Sequence, residues 1–486
     1  MRVLIANRGE IAVRVAQSVQ QMGFQAIAVY ADSDRGALHV RSADEAYRLA
    51  GATVGETYLD IEQILDLARV HKADAIHPGY GFLSENARFA EACGKAGITF
   101  IGPTPEVIRA MGDKIQAKEI MQKAGVPVVP GVTVTLDEEI TEKAAGVGYP
   151  LLVKAAAGGG GKGMRLVRRP AELKEAVASA SREAGAAFGD ARVFLEKYVE
   201  RPRHVEFQIF GDSHGNAVHL FERECSVQRR HQKIVEETPS PALDDDLRAR
   251  MGAAAVAAAR AMNYTNAGTV EFILGQDGQF YFLEVNTRLQ VEHPVTEQLL
   301  GLDLVRAQLE VASGRPLPFG TLQPRGHALE CRIYAEDPAR GFLPSTGTLQ
   351  RFSAPRAPFV RVDTGVSEGS EVTVHHDPML AKLITWGADR SESLARMRWA
   401  LRRFVVLGVT TNLEFLHDLI SHEAFARGDI HTHFLEEHSI AARTENPPDE
   451  AWLVAALQRA AVRAVGATAS ARDSSPWADG GAWRLD

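Results

Sequence analysis

Apolar residues follow two different periods near the start of the chain, and their alternation predicts strands and helices in turn. Residues 2–6 form a short apolar run, after which apolar residues recur at helical spacing up to a stop at Gly23. These recurring residues are Ile11, Val15, Val19 and Met22. Three later apolar runs read QAIAVYA, ADAIHPG and ITFIGP, with helix-like stretches at 60–71 and 85–96. Strands that alternate with helices are typical of a parallel sheet, so we predict an N-terminal parallel α/β sheet domain over residues 1–112.

The pattern changes after residue 112. Prolines 127, 130 and 150 bracket a small α+β unit, which we predict to be a lid domain over residues 113–203. Residues 204–440 are rich in strand patterns, with hairpins and two later helices, and predict a larger α+β domain. Residues 441–486 are Ala-rich and then polar, as in a linker or the truncated start of a following module. The expected fold class is therefore α/β and α+β multidomain.

The overall composition narrows the range of partners. A chain of 486 residues exceeds what one hydrophobic core usually supports. Its formal net charge of −8 argues against a nucleic-acid partner and against an anionic membrane surface. No apolar run approaches the roughly twenty residues of a membrane helix, and the Ala-rich segment from Gly252 predicts a helix of a soluble protein. The N-terminus lacks signal-peptide features and the three cysteines are scattered, so we expect a reduced, cytoplasmic setting.

Four consecutive glycines in KAAAGGGGKGM, residues 154–164, indicate a loop that binds phosphate. The loop is not a P-loop, because the position that requires a glycine holds Ala156 and the position that requires a hydroxyl holds Gly163. It also fits a dinucleotide-binding turn poorly, since that turn leads into a helix. Its apolar flanks predict strand, glycine turn and strand over 149–168, a hairpin flap whose backbone N–H groups could cover a triphosphate. The alternative is a flexible linker.

A second hairpin is predicted in GTVEFILGQDGQFYFLEVN, residues 268–286. A two-residue turn at Asp277 and Gly278 places Glu271 directly opposite Glu284, with Cβ atoms roughly 5 Å apart. Two carboxylates so placed repel one another and persist most easily around a cation. With the amide of Asn286 on the same face, the oxygen ligands suit magnesium or manganese. The alternative is a solvated pair on an exposed face.

Polar residues continue at every second position beyond the hairpin. They are Glu284, Asn286, Arg288, Gln290 and Glu292, whereas Leu283, Val285, Leu289 and Val291 occupy the other face. A straight strand would separate Glu284 from Glu292 by roughly 26 Å, which is too far for one small site. We therefore expect the chain to curl after Asn286.

Two further segments have both a functional and a structural interpretation. Residues 222–237, ERECSVQRRHQKIVEE, are either a salt-bridged surface or an anion site beside the metal, because Arg and Lys suit carboxylate-like oxygens. The stretch HPGYGFLSEN from His77 predicts a Pro-Gly turn that leads into a helix capped by Ser84. Tyr80, exposed between two glycines at a strand end, is either a ligand contact or part of an ordinary turn.

The glycine flap, the paired carboxylates and the separate lysines Lys114 and Lys154 together resemble the ATP-grasp architecture. Within that class, seven motifs are similar to those of biotin carboxylase, in the family's order and spacing. They read IANRGEIAVRV, HPGYGFLSEN, MGDK, KAAAGGGGKGMR, ERECSVQRRHQK, EVNTRLQVEHPVTE and GHALECRIYAEDP. The resemblance covers residues 1–440, in which 113–203 would be the ATP-grasp lid and 204–440 the C-terminal biotin carboxylase domain.

This resemblance implies ATP-dependent carboxylation of a ureido nitrogen of biotin by bicarbonate, through carboxyphosphate. ATP, Mg²⁺ or Mn²⁺, and biotin as a carrier-bound substrate would take part. The nucleotide would be bound by Lys114, Lys154, Gly158, Gly159, Gly160, Gly161, Lys162, Gly163, Glu196, Lys197, Val199, His204, Gln228 and His231.

The resemblance also assigns the chemistry. The metal ligands would be Glu271, Glu284 and Asn286, and bicarbonate would be bound by Lys233, Arg288, Gln290 and Val291. The catalytic residues would be Glu292, Arg288, Arg332 and Lys233. Glu292 would be the general base, and Arg332 would stabilise the biotin enolate. Since Arg332 lies about forty residues beyond the metal hairpin, we expect it to serve the second half-reaction alone. Tyr80 would contact biotin, with Asp377 in the same region.

The resemblance further implies partners. The chain has no Met-Lys-Met biotin-attachment motif, so biotin is expected on a separate carrier domain or protein, or on a missing segment. The tail SPWADGGAWRLD resembles the region after this domain in fused acyl-CoA carboxylase α subunits, which suggests a truncated fragment. The family resemblance also implies a carboxyltransferase partner. A homodimer is also implied. The alternative functions are another ATP-grasp ligase that forms an acyl phosphate, and a non-catalytic nucleotide-binding subunit.

Overall fold

The computed structural model describes residues 1–135, 139–155, 164–188, 191–230 and 232–440, with three isolated positions beyond. The chain divides into two compact units, residues 1–441 and 442–486, and every element below belongs to the first. The predictions made for the glycines and lysine of 158–163, for His231 and for most of 441–486 lie outside the described residues. No helix within these ranges has the length and apolar composition needed to cross a membrane.

The N-terminal part is the predicted parallel sheet, with strand order β3-β2-β1-β4-β5. Its elements are β1 (Arg2–Ile5), α1 (Gly9–Gln21), β2 (Gln25–Tyr30), α2 (Leu38–Ser42), β3 (Glu45–Arg48), α3 (Ile61–Val70), β4 (Ala75–His77), α4 (Ala87–Lys95), β5 (Thr99–Phe100) and α5 (Pro105–Gly112). After α1, Gly23 adopts the left-handed conformation (φ +72°) and the helix ends there, as the sequence predicts. The short polar strand β3 was not predicted.

The turn before α4 differs from its prediction. Asn86, not Ser84, caps this helix, because its side chain accepts a hydrogen bond from the Phe89 N–H at 3.1 Å. Ser84 is buried, and its hydroxyl finds no partner among the described residues. Tyr80 is half-buried rather than exposed. The predicted helix is therefore correct, but its start is two residues later in the chain.

The next part carries a four-stranded sheet with order β6-β9-β7-β8. Its elements are α6 (Lys114–Lys123), β6 (Gly131–Val134), α7 (Ile140–Val147), β7 (Leu151–Ala155), β8 (Arg165–Val167), α8 (Leu173–Phe188) and β9 (Val193–Lys197). Strands β7 and β8 pair antiparallel, with Leu151 opposite Val167. This pairing confirms the two strands predicted on either side of the glycine loop.

An eight-stranded antiparallel sheet, with order β14-β13-β10-β11-β12-β15-β22-β20, forms the largest layer. The first half of this part of the chain contains β10 (Arg203–Gly211), β11 (Ala217–Arg229), β12 (Gln232–Thr238), α9 (Asp245–Ala261), β13 (Asn266–Leu274), β14 (Phe280–Asn286), α10 (His293–Leu300) and α11 (Leu304–Ala312). The Ala-rich α9 packs on β10 and β11, where its Met251 and Ala255 join Phe207 and Phe272 in one core.

The second half of this part of the chain, as far as the structure describes it, contains the strands at the other edge of the sheet, three two-stranded sheets (β16-β17, β18-β21 and β19-β23) and a set of helices. They are β15 (His327–Tyr334), β16 (Glu336–Asp337), β17 (Leu343–Pro344), β18 (Gly347–Thr348), β19 (Arg351–Ser353), β20 (Val360–Thr364), β21 (Glu371–Val372), β22 (Met379–Gly387), α12 (Arg390–Leu401), β23 (Val405–Leu407), α13 (Leu413–Ser421), α14 (Glu423–Arg427) and α15 (Phe434–Glu437). Among the described residues, 204–440 thus holds seven helices, α9 to α15, where two later helices were expected.

The β13–β14 hairpin has the predicted glutamate pair but not the predicted turn. Gly275 pairs with Gln279 across a three-residue loop that ends at Gly278 in the left-handed conformation (φ +73°). This loop shifts the register by one residue, and a bulge at Leu283 shifts it back, so that Glu271 lies opposite Glu284. The bulge also turns Leu283 outward, whereas the alternation predicted it on the apolar face.

Candidate active site

The register of the large sheet places four charged residues in one row across four strands. Arg223 on β11 lies opposite Glu206 on β10. Glu206 in turn lies opposite Glu271 on β13, which lies opposite Glu284 on β14. Directly opposite side chains share a face of the sheet and are close neighbours. Three successive carboxylates repel one another, so the row requires cations from other positions.

Lys233 on β12 is the central cation. Its Nζ lies 2.5 Å from Glu206 Oε2 and 2.9 Å from Glu271 Oε1. The same atom donates to Gln290 Oε1 at 3.1 Å and to Glu292 Oε1 at 2.7 Å. Burial alone would lower the pKa of Lys233, but the three carboxylates outweigh burial and raise it well above its ordinary value. Lys233 therefore stays charged and connects the predicted metal pair to the predicted base.

Glu271 accepts hydrogen bonds on both carboxylate oxygens. Its Oε1 receives Asn286 Nδ2 at 2.8 Å and Gln290 Nε2 at 3.0 Å, besides Lys233. Its Oε2 lies 2.7 Å from His204 Nε2. Burial would raise the pKa of Glu271, but Lys233 and His204 hold it well below the usual range. This carboxylate is ionised and fixed in place by its neighbours.

Glu292 lies between two cations. Besides its contact with Lys233, its Oε2 accepts from Arg332 Nη2 at 3.0 Å. Arg332 also donates through Nε to Glu236 Oε1 at 2.6 Å. Burial and the nearby Glu206 would raise the pKa of Glu292, but Lys233 and Arg332 hold it below its ordinary value. Glu292 is thus ionised, and its carboxylate can accept a proton.

These contacts confirm the predicted curl of the chain after Asn286. Strand β14 ends at that residue, and Gln290 and Glu292 both reach Lys233. Arg332 was expected to serve the second half-reaction alone, and that remains a prediction, but its Nη2 lies at hydrogen-bond distance from Glu292. Sequence separation says little about distance when β15 reaches the site through its pairing with β12.

Glu284 differs from the other glutamates of the row. Its side chain is exposed to a cavity, and none of the residues that the structure describes offers it a hydrogen bond or ion pair. Partial desolvation inside the cavity and repulsion by Glu271 raise the pKa of Glu284. With Glu271 opposite and the Asn286 amide beside it, the oxygen donors fit a hard divalent cation such as Mg²⁺.

Arg288 lies on the other side of Asn286. Its Nη2 donates to Asn286 Oδ1 at 3.0 Å, and its Nε donates to Glu85 Oε2 at 2.9 Å. Glu85 also accepts from the Thr287 backbone N–H at 3.1 Å. The HPGYGFLSEN segment of the N-terminal sheet is thereby connected to the end of β14.

A cavity of about 390 Å³ lies beside Glu284. Its walls combine lysines from α6 and β7 with apolar side chains from α5, α6, β9 and β14, and its lining includes Lys114, Lys118, Lys154, Ile108, Met111, Phe194, Glu196, Phe282, Leu283, Glu284 and Asn286. An apolar cavity with a few charged groups at one end is typical of a small-molecule site. Three amines near one end favour a polyanion such as a triphosphate.

Two of these lysines share one carboxylate. Lys118 and Lys154 both form ion pairs with Glu196, and the Lys118 ammonium lies 4.2 Å from the centre of the Phe194 ring. Burial, with repulsion from the neighbouring lysines, lowers the pKa of Lys118 to about 7. Burial and Lys114 lower the pKa of Lys154 to about 8. The ion pairs with Glu196 act in the opposite direction and favour the charged lysines.

The remaining predicted nucleotide residues lie in other places. Gln228 Nε2 lies 2.6 Å from His204 Nδ1, and His204 in turn contacts the buried carboxylate of Glu271, so neither residue lines the cavity. Lys197 is exposed at the end of β9 and Val199 is half-buried beyond it. Neither residue lines the cavity described above.

Comparison with protein families identifies the chain. The biotin carboxylase N-terminal domain matches residues 1–108, and the biotin carboxylase C-terminal domain matches residues 330–437. Between them, residues 113–319 match the ATP-binding domain of the carbamoyl-phosphate synthase L chain. The biotin carboxylase of Nostoc sp. is 51% identical over 440 residues, which cover 90% of this chain and 98% of that protein. The chain belongs to the biotin carboxylase family.

Solved biotin carboxylase structures have the same fold. The biotin carboxylase domain of Hydrogenobacter thermophilus 2-oxoglutarate carboxylase, solved with MgADP, ADP and bicarbonate, is 45% identical with a TM-score of 0.86. The alignment covers 92% of this chain and 99% of that one. A Campylobacter jejuni biotin carboxylase–β,γ-ATP complex is 43% identical, with a TM-score of 0.85 and coverage of 90% and 98%. These matches confirm the predicted fold class and enzyme class, an ATP-dependent carboxylating ligase.

Methylcrotonoyl-CoA carboxylase alpha subunits are also similar to this chain. The mitochondrial methylcrotonoyl-CoA carboxylase subunit alpha of Rattus norvegicus is 52% identical over 442 residues, which cover 90% of this chain but 62% of that protein. The chain spans 60% to 62% of the length of the first such relatives.

The other two residues that the resemblance assigns to the biotin region, Tyr80 and Asp377, form no hydrogen bond or ion pair with the charged residues of the site in the described part of the chain. The Tyr80 hydroxyl is buried and has no hydrogen-bond partner among the described residues. Asp377 is exposed, and its Oδ1 accepts from the Met379 N–H at 2.9 Å.

Sequence reasoning missed several members of the candidate site. Glu206, Glu85 and Lys118 were not singled out, because each stands alone in its segment without a repeating pattern. The signal for Glu206 was available in principle: a glutamate inside the strand pattern HVEFQIF has to be paired when its neighbours are apolar.

Proposed function

We propose that this chain carboxylates a ureido nitrogen of biotin with bicarbonate and ATP, through carboxyphosphate. The observation that carries the proposal is the position of Lys233, whose ammonium contacts both Glu271 and Glu292. One cation thereby connects a metal-binding hairpin to a carboxylate base at hydrogen-bond distance. Transfer of phosphate to bicarbonate requires these two functions side by side.

In this proposal the cavity binds ATP. Lys114 and Lys154 neutralise phosphate oxygens, and the apolar wall that includes Phe282 and Leu283 accommodates the adenine. Glu196 then loses its ion pair with Lys154 as that lysine turns toward the phosphates. The glycine loop covers the phosphates in this proposal, although it lies outside the described residues.

A divalent cation fits the glutamate pair. Glu284 has no partner among the described residues, while Glu271 and Asn286 present further oxygen donors next to it. A bound Mg²⁺ would neutralise charge that develops on the transferred phosphoryl group. Lys233 and His204 keep Glu271 ionised for this purpose.

Bicarbonate binds in this scheme where Lys233, Arg288 and the loop at Gln290 and Val291 converge. Glu292 removes its proton, and an oxygen of the resulting carbonate attacks the γ-phosphate while ADP leaves. Carboxyphosphate then releases CO₂ and phosphate. Phosphate takes the N–H proton of biotin, and the nitrogen attacks CO₂. Arg332 stabilises the enolate oxygen of biotin at that stage.

Partners and setting form part of the same proposal. Similarity to methylcrotonoyl-CoA carboxylase alpha subunits favours a biotin carrier and a carboxyltransferase as partners. We also propose a homodimer, a cytoplasmic setting, and the domain limits 1–112, 113–203 and 204–440. The rival of a non-catalytic subunit is disfavoured by geometry, because Lys233, Glu292 and Arg332 remain connected by hydrogen bonds.

The substitution Glu292→Gln tests the proposal, because the amide keeps the shape but cannot take the bicarbonate proton. We expect biotin carboxylation to fall by about 10² to 10⁴-fold, while ATP affinity measured by calorimetry stays within about twofold of wild type. The exposed Glu423→Gln on α14 is a matched control that should change neither quantity. Wild-type protein without bicarbonate-dependent ATP hydrolysis would refute the proposed function.

A further inference from the structure

The short segment Gln290–Glu292, here called the anion loop, has all three backbone carbonyls held by hydrogen bonds. The Gln290 carbonyl accepts from the His293 N–H at 3.3 Å and lies 2.7 Å from His293 Nδ1. The Glu292 carbonyl accepts from the Val295 N–H at 3.3 Å. The Val291 carbonyl is held differently, by the side chain of Lys382, whose Nζ donates to it at 2.9 Å.

A hydrogen bond that fixes a backbone carbonyl also fixes the orientation of the N–H group of the following residue. In a trans peptide the C=O and the following N–H point in opposite directions. The bond from Lys382 to the Val291 carbonyl therefore directs the Glu292 N–H away from Lys382. Likewise, the contacts of His293 with the Gln290 carbonyl fix the direction of the Val291 N–H. Among the described residues neither N–H has an acceptor, so both are available as donors to an anion on the opposite side.

Lys382 is not an ordinary buried side chain. It lies on β22, fully buried, directly opposite Arg332 on β15. Its ammonium is 3.3 Å from Glu10 Oε2 and 3.8 Å from Asp363 Oδ2. A buried ammonium is tolerated only where charges and acceptors compensate it. The Val291 carbonyl supplies one of these acceptors, which ties the anion loop to a fixed charge.

Glu10 approaches Lys382 from the N-terminal sheet domain. It belongs to the first turn of α1, which packs so tightly on Gly365, the residue after β20, that a Cβ there would lie 2.4 Å from the Glu10 nitrogen. Such a close approach leaves little freedom to the helix start. Glu10 itself does not contact the anion loop, so its charge and the loop contact of Lys382 can be separated by mutation.

We propose that Lys382 is a positioning residue for bicarbonate: its ammonium holds the Val291 carbonyl so that the Glu292 N–H faces the anion. The inference rests on the proposed function, since it assigns bicarbonate to the anion loop. Lys382 does not touch the substrate. It acts through one peptide group, and its loss should weaken bicarbonate binding while ATP binding is preserved.

The test uses the full chain and the bicarbonate-dependent ATPase reaction without biotin. The double variant Lys382→Met/Glu10→Gln removes the loop contact and leaves no unpaired Glu10 charge, while Glu10→Gln alone is the matched control. We expect the KM for bicarbonate to rise about tenfold or more in the double variant, with KM for ATP within about twofold. The control should keep the KM for bicarbonate within about threefold of wild type.

Lys382→Arg gives a conservative rescue, because a guanidinium can still donate to the Val291 carbonyl, and it should restore most of the bicarbonate affinity. A merely structural role would lower kcat in step with the folded fraction and leave both KM values unchanged. An unchanged KM for bicarbonate in a folded double variant would overturn the inference, as would an equal rise in Glu10→Gln.

A second measurement on wild-type protein covers the case in which the double variant does not fold. Bicarbonate should shift the amide resonance of Glu292, assigned by its loss from the spectrum of Glu292→Gln protein labelled with ¹⁵N-glutamate. No shift at saturating bicarbonate would overturn the inference even if the enzyme is active. Wild-type protein without bicarbonate-dependent ATPase activity would refute the proposed function, and the inference would fail with it.

Discussion

Two groups of charged side chains meet at the β13–β14 hairpin, and they differ in how their charges are compensated. In the buried cluster, Lys233 bonds to Glu206, Glu271 and Glu292, while Arg332 bonds to Glu292 and Glu236. Every one of these charges has a partner within the protein. The cluster is therefore formed before any substrate arrives.

The cavity shows the opposite arrangement. Lys118 and Lys154 share the single carboxylate of Glu196, and Lys114 is exposed. Glu284 faces the same space without a partner among the described residues. A metal–nucleotide complex would supply the missing charges of both signs. The difference indicates that the buried cluster orients its ligand, whereas the cavity depends on its ligand for electrostatic balance.

The largest expected effect is a loss of stability when the buried cluster loses its central cation. Lys233→Met leaves three buried carboxylates without their shared cation, so we expect the free energy of unfolding to fall by about 3–5 kcal/mol. The same substitution at exposed Lys114 should change it by less than about 0.5 kcal/mol. Urea denaturation of both variants measures the contrast, and equal losses would show that the two regions are not electrostatically different.

Arg332→Ala has the next largest expected effect. Removing a donor that stabilises developing charge commonly reduces turnover by about 10² to 10³-fold, and we expect that loss in biotin carboxylation. Because Arg332 touches Glu292, the ATPase reaction without biotin should fall as well. Assays below the melting temperature, with Arg332→Lys as a charge-preserving comparison, separate chemistry from unfolding. An unaffected biotin-free ATPase would restrict Arg332 to the second step.

Glu284→Gln tests the cavity side. Loss of one carboxylate ligand should raise the Mg²⁺ concentration required for ATP binding by about tenfold. Without metal the variant should be slightly more stable, by about 0.5 kcal/mol, since a like-charge cross-strand pair is removed. Calorimetric titration of Mg²⁺ in the presence of ATP, with thermal unfolding in EDTA, checks both. A metal requirement equal to wild type would remove Glu284 from the metal site.

The smallest effect concerns pH. Lysines whose pKa is lowered lose charge as pH rises, so ATP affinity should weaken by about threefold between about pH 6 and pH 9. Lys118→Met should remove the part of this change near pH 7, because the pKa of Lys118 is lowered to about 7, and leave the part due to Lys154. Glu196→Gln removes the opposing ion pairs and should move the decline to lower pH. A flat profile in wild-type protein would contradict the lowered values.

The sequence predicted the parallel sheet and the glutamate pair because both depend on local periodicity. The pair was predicted from a two-residue turn, whereas the structure has a three-residue loop and a bulge at Leu283 that compensate each other. No local pattern marks such a bulge. The cap of α4 was misplaced for a similar reason, since Ser84 and Asn86 are both good capping residues and only packing decides between them.

Contacts between distant segments were not predictable in the same way. Lys118 and Glu196, or Lys382 and Val291, are brought together by separate elements whose packing no periodicity describes. Similarly, the distance along the chain between the metal hairpin and Arg332 suggested a separate role, although Arg332 is hydrogen-bonded to Glu292. Residue types in motifs indicated the chemistry of the site, but the partners that fix those residues required the three-dimensional fold.

The strand order of the large sheet has a consequence for protein synthesis. Strands β10, β11 and β12 leave the ribosome consecutively and can pair as a meander, so Lys233 joins Glu206 early. Strand β13 then brings Glu271 to one side, but Arg332 and Lys382 are added to the other side only when β15 and β22 have been made. A nascent chain that stops before β22 therefore carries Glu10 without Lys382, and one that stops before β15 also carries Glu292 without Arg332. Translation must pass the end of β22 at Gly387 before the site is complete, which makes the unfinished chain a natural client for chaperones.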